Sequence, residues 1–254
     1  MRDILRTKTG NLKYNYIILT KTMHPTIQFE ELAFHITANN HNPRVLTPHF
    51  LKSKNIIPRD WEFAQESSAW LDSRRHQTEI HFTNGAIIST QCHGATFSQI
   101  IQSEIKANIK IPDVVRNYIQ ALNNLDYEML DINFTTFVTF EDKNDKFQHY
   151  IASQLLSPGS WQEYGKEPLL STLNLEYTLE RGKLRLKIDD VKLRNSNDIL
   201  EAGALFCSNF SYEIPQKNST KINFISSLID NWQYDIFIYQ ELVKERFLKK
   251  SVNS

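Results

Sequence analysis

Chemistry in this chain would have to come from a few acidic residues and histidines placed at hairpins. Asn84-Gly85 separates Thr78–Thr83 from Ala86–Thr90, and that dipeptide accepts the positive φ angles of a type I′ turn. A two-residue turn without a bulge puts His76 directly opposite His93 and Gln77 opposite Cys92. Histidines facing each other across strands would bind a transition metal or share a proton, but a stable zinc site takes three or four protein ligands. No further ligand is identifiable, so a pair of partly exposed polar side chains at the hairpin's open end is the plainer expectation. Glu79 and His81 share the other face with Ile88 opposite His81, where a hydrogen-bonded structural histidine outweighs a general base.

Asp189-Asp190 and Glu141-Asp142 offer carboxylates for a metal-dependent hydrolase. They lie at strand ends beside turns, where Asp serves local hydrogen bonding, and no spacing makes them converge. The chain has no GxxxxGK[ST], GxGxxG, GxSxG or HExxH, which weighs against the commonest enzyme classes. Cys92 and Cys207 form no CxxC or Cys/His ligand spacing and no disulfide framework, as expected of a reducing cytosol. Sequence reading therefore assigns no catalytic residue, no metal ligand and no cofactor. The Asn133, Asn209 and Asn218 sequons carry no weight in such a compartment.

The elements that would position these groups follow from periodicity. Ile27 to Thr37 alternates with Leu32, Phe34 and Ile36 on one face, which predicts a strand. Thr47-Pro48 caps and opens a short helix ending near Asn55, and Pro112-Asp113 opens another with Val115, Tyr118, Ile119 and Leu122 on one face. Leu130 to Phe140 predicts a strand whose alternation changes phase at Thr135-Thr136, the sign of a bulge or of burial on both faces. Phe147, Tyr150, Ile151 and Leu155 have helical spacing that Ser157-Pro158-Gly159 stops. In the second hairpin Leu173, Leu175, Tyr177 and Leu179 face Leu184, Leu186 and Ile188; a turn at Arg181-Gly182 sets Glu176 opposite Lys187. A strand from Ala204 to Ile214 precedes one long helix over Lys221–Leu248, with Ile225, Leu228, Trp232, Ile236, Tyr239, Val243 and Phe247 as its stripe. Trp232 should be largely buried in that stripe. Lys244, Arg246, Lys249 and Lys250 complement the dipole at its end.

This order predicts an α+β fold, an antiparallel or mixed sheet with helices on one face and a long C-terminal helix. Residues 23 to 254 read as a single domain or as two similar halves meeting near 156–170, and residues 1–22 as an extension preceding an alternative start at Met23. Arg2, Arg6, Lys8 and Lys13 precede the short apolar stretch Tyr14–Leu19, too short for a membrane span and followed by no small-residue cleavage site. Hydrophobic residues make up 41% and charged ones 23%, so a core can form without staples. Lys plus Arg equals Asp plus Glu at 29 each, leaving no net field to drive general nucleic-acid binding.

Two segments, Leu46 to Trp61 (LTPHFLKSKNIIPRDW) and His81 to Gln91 (HFTNGAIISTQ), resemble conserved hypothetical proteins found mainly in cyanobacteria. Trp232 to Phe237 (WQYDIF) is similar to an aromatic last-helix motif of a wider bacterial family. The resemblance implies a bacterial cytosolic protein and supplies no activity and no site residues. The expected function is that of a non-catalytic binding or assembly protein with a protein partner; a small metal-dependent hydrolase or nuclease with a His or acidic centre is the alternative. A homodimer is expected because Ile236, Phe237, Ile238 and Tyr239 point most of the way around the last helix and need a second surface.

Overall fold

The computed structural model describes residues 25–64, 78–101, 109–140, 150–166, 169, 171–194, 198–215 and 220–249. Sheet dominates: strands β1 (Pro25–Asn39), β2 (Thr78–His81), β3 (Ala86–Gln91), β4 (Gly94–Ile101), β5 (Asp126–Phe140), β6 (Thr172–Leu179), β7 (Gly182–Arg194) and β8 (Leu200–Glu213) join in one antiparallel sheet. Its order is β2-β3-β4-β1-β5-β8-β7-β6. Helices α1 (Pro48–Ser53), α2 (Ile111–Ala121), α3 (Lys221–Asp230) and α4 (Trp232–Gln240) complete it, with a π-helical turn at Ile151–Leu155 and a π-helical end at Glu241–Leu248. None of the described helices is long and apolar enough to cross a membrane.

One order of elements occurs twice: a strand, a helical connection, a three-stranded meander and a helix. The first run is β1 to α2; the second opens with β5 at Asp126. Because β1 pairs with β5 at the centre and each meander folds back onto its own first strand, the sheet order reads alike from both ends. Gly94 pairs with Thr37 and Gly203 with Thr139. At both places a Cβ would collide with a carbonyl oxygen of the neighbouring strand, Ile36 O and Val138 O respectively.

Alternation decides which strand side chains enter the core. Leu32, Phe34 and Ile36 of β1 and Leu130, Ile132 and Phe134 of β5 are buried, as a period-two pattern requires. No bulge interrupts β5 at Thr135-Thr136, where its pairing with β8 runs unbroken from Met129 to Thr139; the other expectation, burial on both faces, holds there, with Thr136, Phe137 and Val138 all buried. Thr136 holds a core position, its hydroxyl accepting from Tyr239 Oη at 2.8 Å, so a satisfied polar residue imitates a break in the pattern. Phe137 is buried on the opposite side against Phe29, ring centroids 5.9 Å apart. The bulges lie elsewhere, at Gln28 on β1 and Glu128 on β5.

Helices dock through aromatic residues. Tyr118 of α2 meets Phe97 with centroids 4.9 Å apart, and Tyr239 of α4 stacks on Phe134 at 5.4 Å. Strand β4 was not expected, because Gln99 occupies an inward position in it. Its Oε1 accepts from the backbone N–H groups of Lys110 and Ile111, at 3.1 and 3.3 Å, and so caps α2, whose own N-cap Lys110 supplies no side-chain bond. Thr47 caps α1 as its sequence predicts, accepting from Phe50 N at 3.2 Å.

The single long C-terminal helix does not hold. Asn231, at φ −93° and ψ 9°, separates α3 from α4, and the last turns widen to π geometry. Trp232, just after the break, is only half-buried, whereas Ile225, Leu228, Tyr239 and Val243 are buried.

Candidate functional site

Among the described residues, the histidine and carboxylate groups singled out by sequence do not assemble. In the first hairpin Phe82 N donates to Ala86 O at 2.9 Å and Gly85 N to Phe82 O at 3.1 Å, closing a three-residue loop with Gly85 at φ +78°. Pairing therefore sets Glu79 opposite Ser89 and His81 opposite Ile87, one residue away from the expected Ile88. The expected pairing of His76 with His93 and of Gln77 with Cys92 falls on His76 and Gln77, which lie outside the described residues; Cys92 and His93 are exposed. His81 Nε2 sits 2.5 Å from Glu79 Oε1 on the same strand, a local pair with both partners substantially exposed.

Asp189 contacts Lys187 Nζ at 2.7 Å and accepts from Thr172 Oγ1 at 2.7 Å. Asp190 points to the other face and accepts from Ile151 N at 3.3 Å. Adjacent strand residues project oppositely, so these carboxylates cannot share a metal; Glu141 and Asp142 lie outside the described residues. Among the described residues no three His, Cys, Asp or Glu side chains are grouped to hold an ion. Cys92 and Cys207 are both free.

The second hairpin turns at Glu180-Arg181, one residue earlier than expected, and Leu179 pairs with Gly182. Glu176 consequently faces Arg185 rather than Lys187 and contacts Arg185 Nε at 3.1 Å and Lys183 Nζ at 3.0 Å. The hydrogen bonds from these two cations hold the Glu176 carboxyl below the usual carboxylate range. The shift of two in pairing preserves the faces, which is why Leu173, Leu175 and Tyr177 still meet Ile188, Leu186 and Leu184.

That turn brings Arg181 to a cluster of buried and aromatic groups. Asp235, in the first turn of α4, is 1% exposed. Its Oδ1 accepts from Tyr212 Oη at 2.8 Å and lies 3.6 Å from Arg181 Nη1. Its Oδ2 is buried with no hydrogen-bond partner among the described residues. The Arg181 guanidinium lies 5.6 Å from the Tyr212 ring centre and 5.4 Å from that of Tyr234, within cation–π range. These four residues, with Phe210 and Ile238, line a cavity of about 280 Å³. Burial raises the Asp235 carboxyl, against the Tyr212 hydrogen bond and the Arg181 charge, which lower it. Burial and the bond to Asp235 push the Tyr212 phenol up.

Sequence reading passed over Asp235 because it sits inside an apolar stripe. Leu228, Trp232, Asp235, Tyr239 and Val243 step by three or four, so a carboxylate at an inward position was the available signal. His41 was passed over too. It is buried, with Nδ1–H donating to Gln91 O at 2.8 Å, its Nε2 lacks a partner among the described residues, and burial lowers its pKa.

A second feature adjoins the cavity. Strand β6 ends the sheet, and its Leu173, Leu175, Tyr177 and Leu179 are only half-buried. On α4 beside it Tyr234 is exposed and Phe237 is 64% exposed, while Ile236 and Ile238 are half-buried and Tyr239 is buried. No protein-family model, curated protein or solved structure matches the chain.

Proposed function

We propose that this is a non-catalytic assembly protein of the cytosol that pairs with a second copy of itself through strand β6. The observation that carries the reading is an eight-residue edge strand with no outer partner among the described residues and none of the lysines, prolines or bulges that blunt such edges. Asp190 N donates to Ser171 O at 3.3 Å. Alternation along an antiparallel pair then commits the odd-numbered residues of β6 to β7 and turns the N–H and C=O groups of Thr172, Asn174, Glu176 and Thr178 outward.

A two-fold pairing centred on Leu175 is self-complementary. It sets Leu175 against Leu175, Leu173 against Tyr177 and, on the other face, Asn174 against Glu176, with no like charges opposed. The half-buried leucine stripe and exposed Phe237 would gain cover along the same edge. Helices gathered on one sheet face, as the aromatic contacts of Phe97, Phe134 and Phe206 favour, leave the polar face with Asn133, Asn209 and Arg185 free to continue into the second copy. The hydrolase reading gains no support from Asp189 and Asp190, which diverge.

Light scattering at micromolar concentration tests the proposal. Twice the 29.7 kDa chain mass is expected, falling to one chain for Asn174→Pro, which deletes an outward N–H and no bond to β7. A wild-type mass of one chain sinks the pairing, as does a dimer that Asn174→Pro leaves intact.

A further inference from the structure

We propose that Tyr212, Tyr234 and Asp235 form a recognition site for a guanidinium group, which the chain's own Arg181 occupies incompletely. The inference is independent of pairing through β6. An arginine built only to neutralise Asp235 would use both carboxylate oxygens in a fork of two parallel hydrogen bonds. Arg181 instead approaches Oδ1 at 3.6 Å, beyond hydrogen-bond length, while Oδ2 has no partner among the described residues. A carboxylate this deeply buried is costly while one oxygen goes unpaired.

The rest of the site fits a planar cation rather than an ammonium. Two tyrosine rings flank the guanidinium at 5.6 and 5.4 Å, and guanidinium stacks on aromatic faces and donates in pairs where an ammonium cannot. Tyr212 Oη fixes the carboxylate from one side through its 2.8 Å bond, leaving Oδ2 for an incoming N–H. A cavity of about 280 Å³ takes the head group and a short alkyl stem. Arg181 can yield its place because it belongs to a two-residue turn and its side chain is 31% exposed. The resident side chain therefore acts as an intramolecular competitor, lowering the apparent affinity for an outside guanidinium by the fraction of time that it fills the cage.

The probe is ethylguanidine, titrated into the full chain by calorimetry. Arg181→Ala should bind it about tenfold or more tightly than wild type, since the competitor is gone. Adding Asp235→Asn to Arg181→Ala should abolish that binding, and ethylammonium should bind either protein more weakly. If Arg181→Ala is too unstable to titrate, a rise in its melting temperature with ethylguanidine, not with ethylammonium, reads the same contact. N-acetyl-arginine-N-methylamide separates the sources: binding as tight as ethylguanidine assigns an arginine in a partner protein, and weaker binding assigns a small free guanidinium compound. A folded Arg181→Ala protein that ignores ethylguanidine, or whose binding survives Asp235→Asn, overturns the site. The oligomeric mass is measured on the same samples, so failure of β6 pairing shows separately.

Discussion

The two ends of the sheet are built from the same meander and finished differently. At the first end β2 has four residues, and the chain before it folds back as an outer cover: Phe63 bridges Phe82, Ala64 N donates to His81 O at 3.0 Å and Thr83 N to Glu62 O at 3.0 Å. Trp61 packs edge-on against Phe82 with centroids 4.9 Å apart and is buried. At the other end β6 has eight residues, half-buried leucines and no such cover among the described residues. Among the described residues, equal strand topology thus yields one closed edge and one open edge. The difference lies in what the connecting segments do, since an edge is a template for another strand unless something occupies its hydrogen-bonding groups.

The largest effect should come from opening the closed end. Trp61→Ala removes a buried indole and uncovers Phe82, and should destabilise by about 3 to 5 kcal/mol in denaturant unfolding. A loss under about 1 kcal/mol would mean that the cover is ornamental. Trp232→Ala, beside the open end, should cost roughly 1 to 2 kcal/mol, because its side chain surrenders only part of its surface to the core. A loss as large as that of Trp61→Ala would show the open end to be packed as tightly as the closed one.

Acid and base should act on the two ends in opposite directions. His41, at the closed end, has a depressed pKa in the fold. The unfolded chain takes up its proton near pH 6.5 while the folded chain resists, so stability present above pH 6.5 is lost as pH falls through the lowered folded value. Asp235, at the open end and facing Arg181, Tyr212 and Tyr234, has a raised pKa. Its contribution is full below 3.8 and is lost as pH rises through the raised value. His41→Phe and Asp235→Asn should each flatten one limb of the stability-versus-pH curve and leave the other unchanged. A single variant that flattens both limbs would refute this division.

The smallest effect is expected on the open edge itself. Glu176→Ala breaks contacts with Lys183 and Arg185, all three side chains being roughly half-exposed or more. Such pairs are screened by solvent, so the loss should stay under about 1 kcal/mol by thermal unfolding. A larger cost that grows with protein concentration would show that Glu176 contributes to the pairing of β6 with its copy beyond these screened contacts.

Periodicity in the chain was enough to locate seven strands, the paired faces of the second hairpin and the helices at α1 and α2. These features depend on neighbours within a few residues, where alternation, Thr47-Pro48 and Pro112 act locally. Register was less legible, because Asn84-Gly85 fits a two-residue turn or, as found, a three-residue loop ending in Gly85, and only strand pairing chooses between them. Polar residues used inside the core misled most. Thr136 read as a change of phase and Gln99 hid β4, since the groups that satisfy them, Tyr239 Oη and the first N–H groups of α2, are remote in sequence. The Asp235 cage belongs to the same class. Arg181, Tyr212 and Asp235 come from a turn, a strand and a helix, and no local pattern records that such elements meet. Sequence alone determined which residues seek burial; tertiary structure alone decided which buried polar atoms found partners and which edge of the sheet stayed open.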